Sequence, residues 1–177
     1  MRYSLLVLSV LLVVSCTKKG EETKSRQEIL RESKWSLDTG SRHDILKKDG
    51  VTVPVAVNQV SPIVKAECAY DDVLVFREGH LGAHIPGEWT CSINETAELE
   101  FRWGLTGNDT KMYIYDAKEF FKQDVNADIV EFYNDKFTIR YYDIRDKLAD
   151  DGTGKDVWLK DSTIYTMTFT ASGASGG

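Results

Sequence analysis

Alternating apolar and polar residues along the chain predict antiparallel β-strands. The clearest alternation lies at 97–103, where Ala97, Leu99, Phe101 and Trp103 fall on one face and charged residues fall on the other. A period of two residues indicates a strand with one buried face and one solvated face. This segment therefore predicts one strand of a sheet that covers an apolar core.

Seven more segments have the composition of strands and are separated by turn residues. They are 35–38, 50–57, 71–78, 111–116, 129–133, 136–143 and 163–170. The polar stretch 144–156 predicts a loop or the end of a long hairpin, and 61–68 and 117–123 predict short helices at most. The whole pattern predicts an all-β fold: an antiparallel up-and-down meander that closes into an eight-stranded barrel, or a β-sandwich.

The first fifteen residues combine one positive charge, Arg2, with a continuous apolar run from Leu5 to Val14. This run is too short to span a bilayer comfortably as a helix, which takes about 20 residues. A positive start, a short apolar run and a small residue at its end are typical of a secretory signal peptide. The pattern predicts that 1–15 direct export and are then removed.

The run ends in Val13-Val14-Ser15-Cys16, which resembles the lipobox of bacterial lipoproteins. The resemblance implies that the signal is cut before Cys16 and that Cys16 carries acyl chains such as palmitate. Two or more acyl chains attach a protein stably to a membrane, whereas one chain does so only marginally. The alternative is an ordinary signal peptide followed by a chance cysteine.

Residues 17–28 contain no large apolar side chain, so burial cannot offset the entropy of ordering them and they predict a flexible spacer. Ile29 and Leu30 predict a short helical turn that closes one end of the fold. The chain therefore divides into four parts. These are a signal peptide at 1–15, a lipidated cysteine and tether at 16–33, a barrel at 34–170 and a flexible tail at 171–177.

Cys68 and Cys91 remain once Cys16 is assigned to lipid. Exported proteins occupy compartments in which disulfides persist, so the pair predicts a disulfide bond. Closing a loop of about 24 residues stabilises a fold by about 3 kcal/mol in the loop-entropy model. A free buried pair and a metal site with His80 and His84 are the alternatives, although Gly79 and Gly82 suggest a turn between those histidines.

Several features follow one another in a characteristic order. They are Cys16, a charged spacer, Trp35 before the first strand, Cys68 followed by Asp71-Asp72 and Phe76, Cys91, and the alternating strand that ends at Trp103. This order resembles the lipocalin-like domain lipoproteins of Gram-negative (Bacteroidetes-type) bacteria. The Gly-x-Trp of typical lipocalins is replaced here by Ser33-Lys34-Trp35. The resemblance implies an eight-stranded lipocalin-like barrel, an internal cavity for a small apolar molecule, and a lipid anchor in the outer membrane on its periplasmic or cell-surface face.

An eight-stranded barrel has room inside for packed side chains or for one small ligand. Tyrosine and tryptophan favour a ligand cavity, because each carries a polar tip that needs a partner when buried. The residues predicted to bind a ligand inside the barrel are Phe101, Trp103, Tyr115, Tyr141, Tyr165 and Met167. The alternative is that these side chains simply fill the core.

Arg140 and Tyr142 form an Arg-x-Tyr pair. In fatty-acid-binding relatives of lipocalins, a pair with this spacing points inward and holds a carboxylate, and a guanidinium binds a carboxylate through two hydrogen bonds. The resemblance adds both residues to the predicted ligand site. The alternation of 136–143 favours the opposite placement, with Phe137, Ile139 and Tyr141 inside and this pair on the solvated face.

Composition narrows the function classes. The net charge of −6 over 177 residues argues against a general nucleic-acid binder, which needs basic residues to neutralise phosphates. The chain contains no Ser-His-Asp, Gly-x-Ser-x-Gly, P-loop or His-Glu-x-x-His pattern. The sequence thus predicts a protein that is not an enzyme and needs no metal or cofactor. It predicts contact with the membrane through the lipid and with a small hydrophobic ligand, or a packed barrel that serves as an accessory subunit of an outer-membrane complex.

Overall fold

The computed structural model describes residues 24–48, 51–52, 60–63, 69, 71–89, 98–150 and 153–172. The helices are α1 (Arg26–Glu32) and α2 (Lys118–Phe121), and a 3-10 turn covers Glu78–His80. The strands are β1 (Lys34–Lys48), β2 (Val51–Thr52), β3 (Val60–Pro62), β4 (Val73–Phe76), β5 (Leu81–Ile85), β6 (Leu99–Thr106), β7 (Lys111–Tyr115), β8 (Val125–Phe132), β9 (Lys136–Asp150) and β10 (Asp156–Ser172).

The strands form a closed antiparallel barrel. From β4 to β10 each strand pairs with the next, and β10 returns to pair with β1. Three short strands, β2, β3 and β4, together take the place of one barrel strand beside β1. They pair with 47–48, 41–43 and 34–35 of β1, respectively. The predicted eight-stranded up-and-down barrel is confirmed, with its second strand interrupted twice.

One end of the barrel, here called the closed end, is covered by α1. A capping box between Ser25 and Glu28 starts the helix, so the predicted spacer 17–28 overlaps its first turn. The helix buries Ile29 and Leu30, and the indole N–H of Trp35 donates to the carbonyl of Leu30 at 2.9 Å. The expected helical turn at these residues is confirmed, and it is fixed to the first strand by a buried hydrogen bond.

The core beneath α1 is a cluster of aromatic rings. Phe137 lies at its centre, with ring centroids 4.9 Å from Trp35, 4.9 Å from Phe169 and 6.2 Å from Phe76. Alternation along β9 places Phe137, Ile139 and Tyr141 on this inner face, all of them fully buried. The inner face predicted for 136–143 is confirmed.

Three strands extend beyond the opposite end, here called the mouth. The pairing of β8 with β9 ends at Arg140, whereas β9 continues to Asp150 beside β10, and β10 pairs with β1 as far as Lys47. We call the extension formed by 40–48, 142–150 and 156–164 the arm, and the short strands β2 and β3 pair with the outer edge of its β1 portion. Of the two predictions for 144–156, the end of a long hairpin is confirmed and the loop is wrong, because 144–150 continue β9 and β10 begins at Asp156.

Cross-strand charge pairs explain why such a polar segment forms a strand. Lys160 lies opposite Asp146 and their side chains approach to 2.6 Å. Opposite charges that face each other across a ladder stabilise it by a few tenths of a kcal/mol to about 1 kcal/mol. The short helix expected in 117–123 is confirmed as α2. In 61–68 the structure places the end of β3, and 64–68 lie outside the described residues.

Candidate functional site

The closed half of the barrel is filled by side chains. Phe101 and Trp103, two of the predicted ligand-binding residues, are buried there against Phe76. The indole N–H of Trp103 donates to the carbonyls of Leu81 at 2.7 Å and Arg77 at 3.2 Å, so its polar tip is satisfied by the backbone. These two rings belong to the packed core of the closed half.

Three other predicted residues meet nearer the mouth. Tyr141 and Tyr165 lie opposite each other on β9 and β10, and their rings stack with centroids 4.9 Å apart. The hydroxyl of Tyr141 donates to the sulfur of Met167 at 3.7 Å. Burial raises the pKa of the Tyr141 phenol, so it stays protonated at neutral pH. Tyr165 is only half-buried, so this stack is where the apolar interior approaches solvent.

Helix α2 fills the space below the mouth. Phe121 is buried and packs edge-on against Tyr141, with ring centroids 6.1 Å apart. Phe120 is half-buried, 4.8 Å from Phe121 and 6.1 Å from Phe169 between ring centroids. Aromatic rings from β9, β10 and α2 therefore form the bottom of the mouth. We call this layer of rings the ring floor.

The inner face changes from apolar to charged beyond the tyrosine stack. Arg42 pairs with Tyr165 in the register of β1 and β10, and Asp44 with Thr163, so these side chains continue the same face. Asp44 accepts hydrogen bonds from Arg42 Nε at 2.8 Å and from the Thr163 hydroxyl at 2.7 Å. Burial raises the pKa of Asp44, but these two hydrogen bonds and the charge of Arg42 outweigh it, and the pKa is lowered overall. Asp44 is thus held as a carboxylate.

A second charge pair lies across β10 from the first. Asp143 pairs with Thr163 in the register, and its carboxylate lies 2.5 Å from an Nη atom of Arg145. The hydrogen bond that Arg145 donates to Asp143 raises the pKa of Arg145. The inner face of the arm therefore presents carboxylate and guanidinium groups directly above a ring floor, which suits a ligand with one apolar part and one polar part.

A buried polar pair lies on the other wall of the mouth. His84 on β5 is opposite Leu74 of β4, which places its side chain on the inner face. Its Nε2 lies 2.9 Å from Oδ2 of Asp72, and both residues are 4% exposed. The ring of His84 packs edge-on against Phe120 at 5.4 Å between centroids. This pair joins the ring floor through α2.

Three predicted ligand residues lie on the outside instead. Tyr115 stacks on Tyr113 and donates to Asn126, on the outer face of β7. Arg140 is exposed and Tyr142 is 50% exposed, so neither lines the interior. The reason is the strict alternation of β9, which commits its odd-numbered residues to the core. The inward Arg-x-Tyr hypothesis is corrected accordingly, whereas the competing placement on the solvated face is confirmed.

Arg140 and Tyr142 do share a surface feature. They border a groove of about 280 Å³ on the outer face of β9, β10, β1 and β3. Its other lining residues are Ser41, His43, Val60, Ile164 and Thr166. The groove is shallow and lies outside the barrel wall, on the side opposite the mouth residues.

The three cysteines Cys16, Cys68 and Cys91 lie outside the described residues, so the lipid and disulfide hypotheses stay predictions. The two histidines of the metal alternative are separated, because His80 lies on the exposed 3-10 turn and His84 is buried beside Asp72. Within the described ranges, no three His, Cys, Asp or Glu side chains cluster as a metal site. No helix in this part of the chain is both long and apolar enough to cross a membrane.

Sequence reasoning missed several residues of the mouth. Phe120 carries no recognisable motif, His84 enters only through the metal alternative, and Asp72 enters only as half of an acidic pair. One signal was available, because Asp72 continues the alternation of Leu74 and Phe76 and so falls on the inner face. A buried carboxylate needs a hydrogen-bonding partner.

Comparison with known proteins adds no family: no protein-family model and no curated protein matches this chain. The site must therefore be interpreted from its own geometry.

Proposed function

We propose that the protein is a membrane-anchored, non-enzymatic lipocalin-like lipoprotein that binds a small apolar or amphipathic molecule at the mouth of its barrel. The observation that carries this proposal is the half-exposed Tyr165, stacked on buried Tyr141 between a ring floor and a charged rim. Rigid aromatic rings bind apolar ligands at small entropic cost. The charges of Asp44 and Arg42 give the polar part of such a ligand a place to remain solvated or hydrogen-bonded.

The two tyrosines on β7 and β10 provide a test of the ligand site. Tyr165→Ala removes the exposed half of the stack, and we expect the dissociation constant for the apolar dye N-phenyl-1-naphthylamine to rise about tenfold. Tyr115→Ala is the matched control, because Tyr115 also stacks on a tyrosine but lies on the outer face. Native mass spectrometry of the gently purified protein should show a co-purifying small molecule that Tyr165→Ala loses.

A clean mass of the protein alone, together with no dye binding, would contradict the ligand site. Equal dye affinity in both variants would place binding elsewhere on the molecule.

The membrane anchor is supported by the position of Cys16 at the end of the apolar run and by the resemblance to the lipobox. The acidic chain offers little attraction to anionic lipid headgroups, so attachment depends on the acyl chains. We propose that acyl chains such as palmitate on Cys16 hold the protein in the outer membrane.

Cys16→Ala should move the protein entirely from the detergent phase to the aqueous phase in detergent-phase partitioning, because it removes every acyl chain. Metabolic labelling with a palmitate analogue should mark the wild-type chain alone. A variant that stays in the detergent phase would show that another segment attaches the protein to the membrane.

A second candidate function is an accessory subunit that binds another protein. It is favoured by apolar side chains on the outer face of the arm, where exposed Tyr142 pairs with half-buried Ile164 and exposed Leu148 pairs with exposed Trp158. Trp158 is 71% exposed. Tryptophan and tyrosine in such patches are enriched at protein interfaces. A protein without a bound small molecule would favour this candidate over the first.

A further inference from the structure

The Asp72–His84 pair leaves one polar atom without a partner. Nε2 of His84 bonds Oδ2 of Asp72, and Oδ1 of Asp72 accepts the backbone N–H of Gly87 at 3.0 Å. The other ring nitrogen, Nδ1, is buried and has no hydrogen-bond partner among the described residues. Buried polar atoms are nearly always paired, so an unpaired one on the wall of a ligand site asks for an explanation.

The geometry assigns the proton of His84. The carboxylate of Asp72 can only accept, so the N–H lies on Nε2. A second proton on Nδ1 would create a cationic donor that has no acceptor within the described structure, at a higher cost than an unpaired lone pair. Nδ1 is therefore a buried, unpaired hydrogen-bond acceptor on a ring that packs against Phe120.

Phe120 packs against the ring that carries this acceptor, with ring centroids 5.4 Å apart. Its ring packs edge-on against His84, yet it is only half-buried. It lies on a helix of four residues, flanked by Asp116 and Lys122, which both have positive φ. A hydrogen bond from the Asp116 backbone N–H to the Asp124 carboxylate at 3.0 Å ties the base of this segment. The segment that this hydrogen bond closes is short, and its Phe120 packs against the ring of His84.

We propose that the ligand of the mouth is an apolar molecule that carries a hydroxyl group, and that this hydroxyl replaces the Phe120 ring edge and donates a hydrogen bond to His84 Nδ1. This inference rests on the proposed ligand-binding function and names its substrate class. Asp72 is the positioning residue, because it holds the imidazole in the tautomer that accepts. The surrounding rings of α2 and β10 contact the apolar part of the molecule.

Two isomeric probes isolate the hydroxyl. Undecan-1-ol and decyl methyl ether contain the same atoms, but only the alcohol can donate a hydrogen bond. We expect the alcohol to displace N-phenyl-1-naphthylamine from the full-length protein at about tenfold lower concentration than the ether. His84→Gln should abolish this preference, since its amide N–H can still reach Asp72 while no acceptor stands at the position of Nδ1.

His80→Gln is the matched control, because His80 lies on the exposed 3-10 turn, and it should keep the preference. If His84→Gln does not fold, the ¹⁵N chemical shift of His84 Nδ1 in the wild-type protein replaces the variant as the measurement. This resonance should move when undecan-1-ol is added but not when decyl methyl ether is added. Equal displacement by both probes, an unchanged preference in His84→Gln or an unmoved Nδ1 resonance would overturn the hydroxyl inference alone. Failure of both probes and of the dye to bind would overturn the ligand-binding function itself.

Discussion

Phe137→Ala should lower the free energy of unfolding by about 4 kcal/mol, in the middle of the range for truncating a buried aromatic ring. Phe137 is fully buried and touches the rings of Trp35, Phe76 and Phe169, so it joins β9 to β1, β4 and β10. A cavity at this point lies where the barrel is rigidly closed, and the surrounding strands cannot collapse to fill it. Urea unfolding followed by tryptophan fluorescence measures the change.

Tyr142→Ala is the control for this variant, because Tyr142 lies on the outer face of the same strand and is 50% exposed. Its expected effect is about 0.5 kcal/mol. Similar losses in both variants would contradict the packed closed half, and with it the assignment of ligand binding to the mouth.

Asp72→Ala should lower the free energy of unfolding by about 3 kcal/mol. The change leaves His84 Nε2–H and the N–H of Gly87 without their common acceptor, and removing one member of a buried pair costs far more than the pair itself contributes. The imidazole also loses the group that fixes its tautomer. Asp72→Ala should weaken dye binding at the mouth as well as stability. Phe137→Ala should lower the free energy of unfolding by a similar amount without weakening dye binding, so the dye distinguishes the two variants.

The neighbouring Asp71 provides the control for Asp72. Asp71 is exposed and accepts the backbone N–H of Glu88, so Asp71→Ala should cost about 1 kcal/mol. Thermal unfolding of the two single variants compares them directly. A larger loss for Asp71→Ala than for Asp72→Ala would show that the loop contact, and not the buried pair, stabilises this wall of the mouth.

The architecture was predictable wherever one face of a strand is buried. Phe101 and Trp103 alternate with charged residues, and hydrophobic period alone assigns their face. The same rule left 144–150 open between a loop and the end of a long hairpin, because the described side chains of this segment are all exposed and the strand is held by pairing with β10. Pairing between distant residues such as Asp146 and Lys160 leaves no local pattern.

The candidate site was predictable only in part, for a related reason. Tyr141, Tyr165 and Met167 came from the alternation of their own strands, and the structure brings them together. His84 and Phe120 belong to separate elements, and only the closure of the barrel places them in contact. Arg140 and Tyr142 illustrate the opposite case: a spacing shared with fatty-acid binders carries no information on which face the pair occupies.

The pairing of β1 with β10 also has a consequence for how the molecule forms. Lys34 lies opposite Ser172, so the seam joins the first and last strands of the barrel. A nascent chain that stops before β10 would leave β1 and β9 each with a bare edge, which invites pairing with other chains. Contacts of such long sequence separation are made late and slowly. The barrel is therefore expected to fold only after synthesis has passed its final strand.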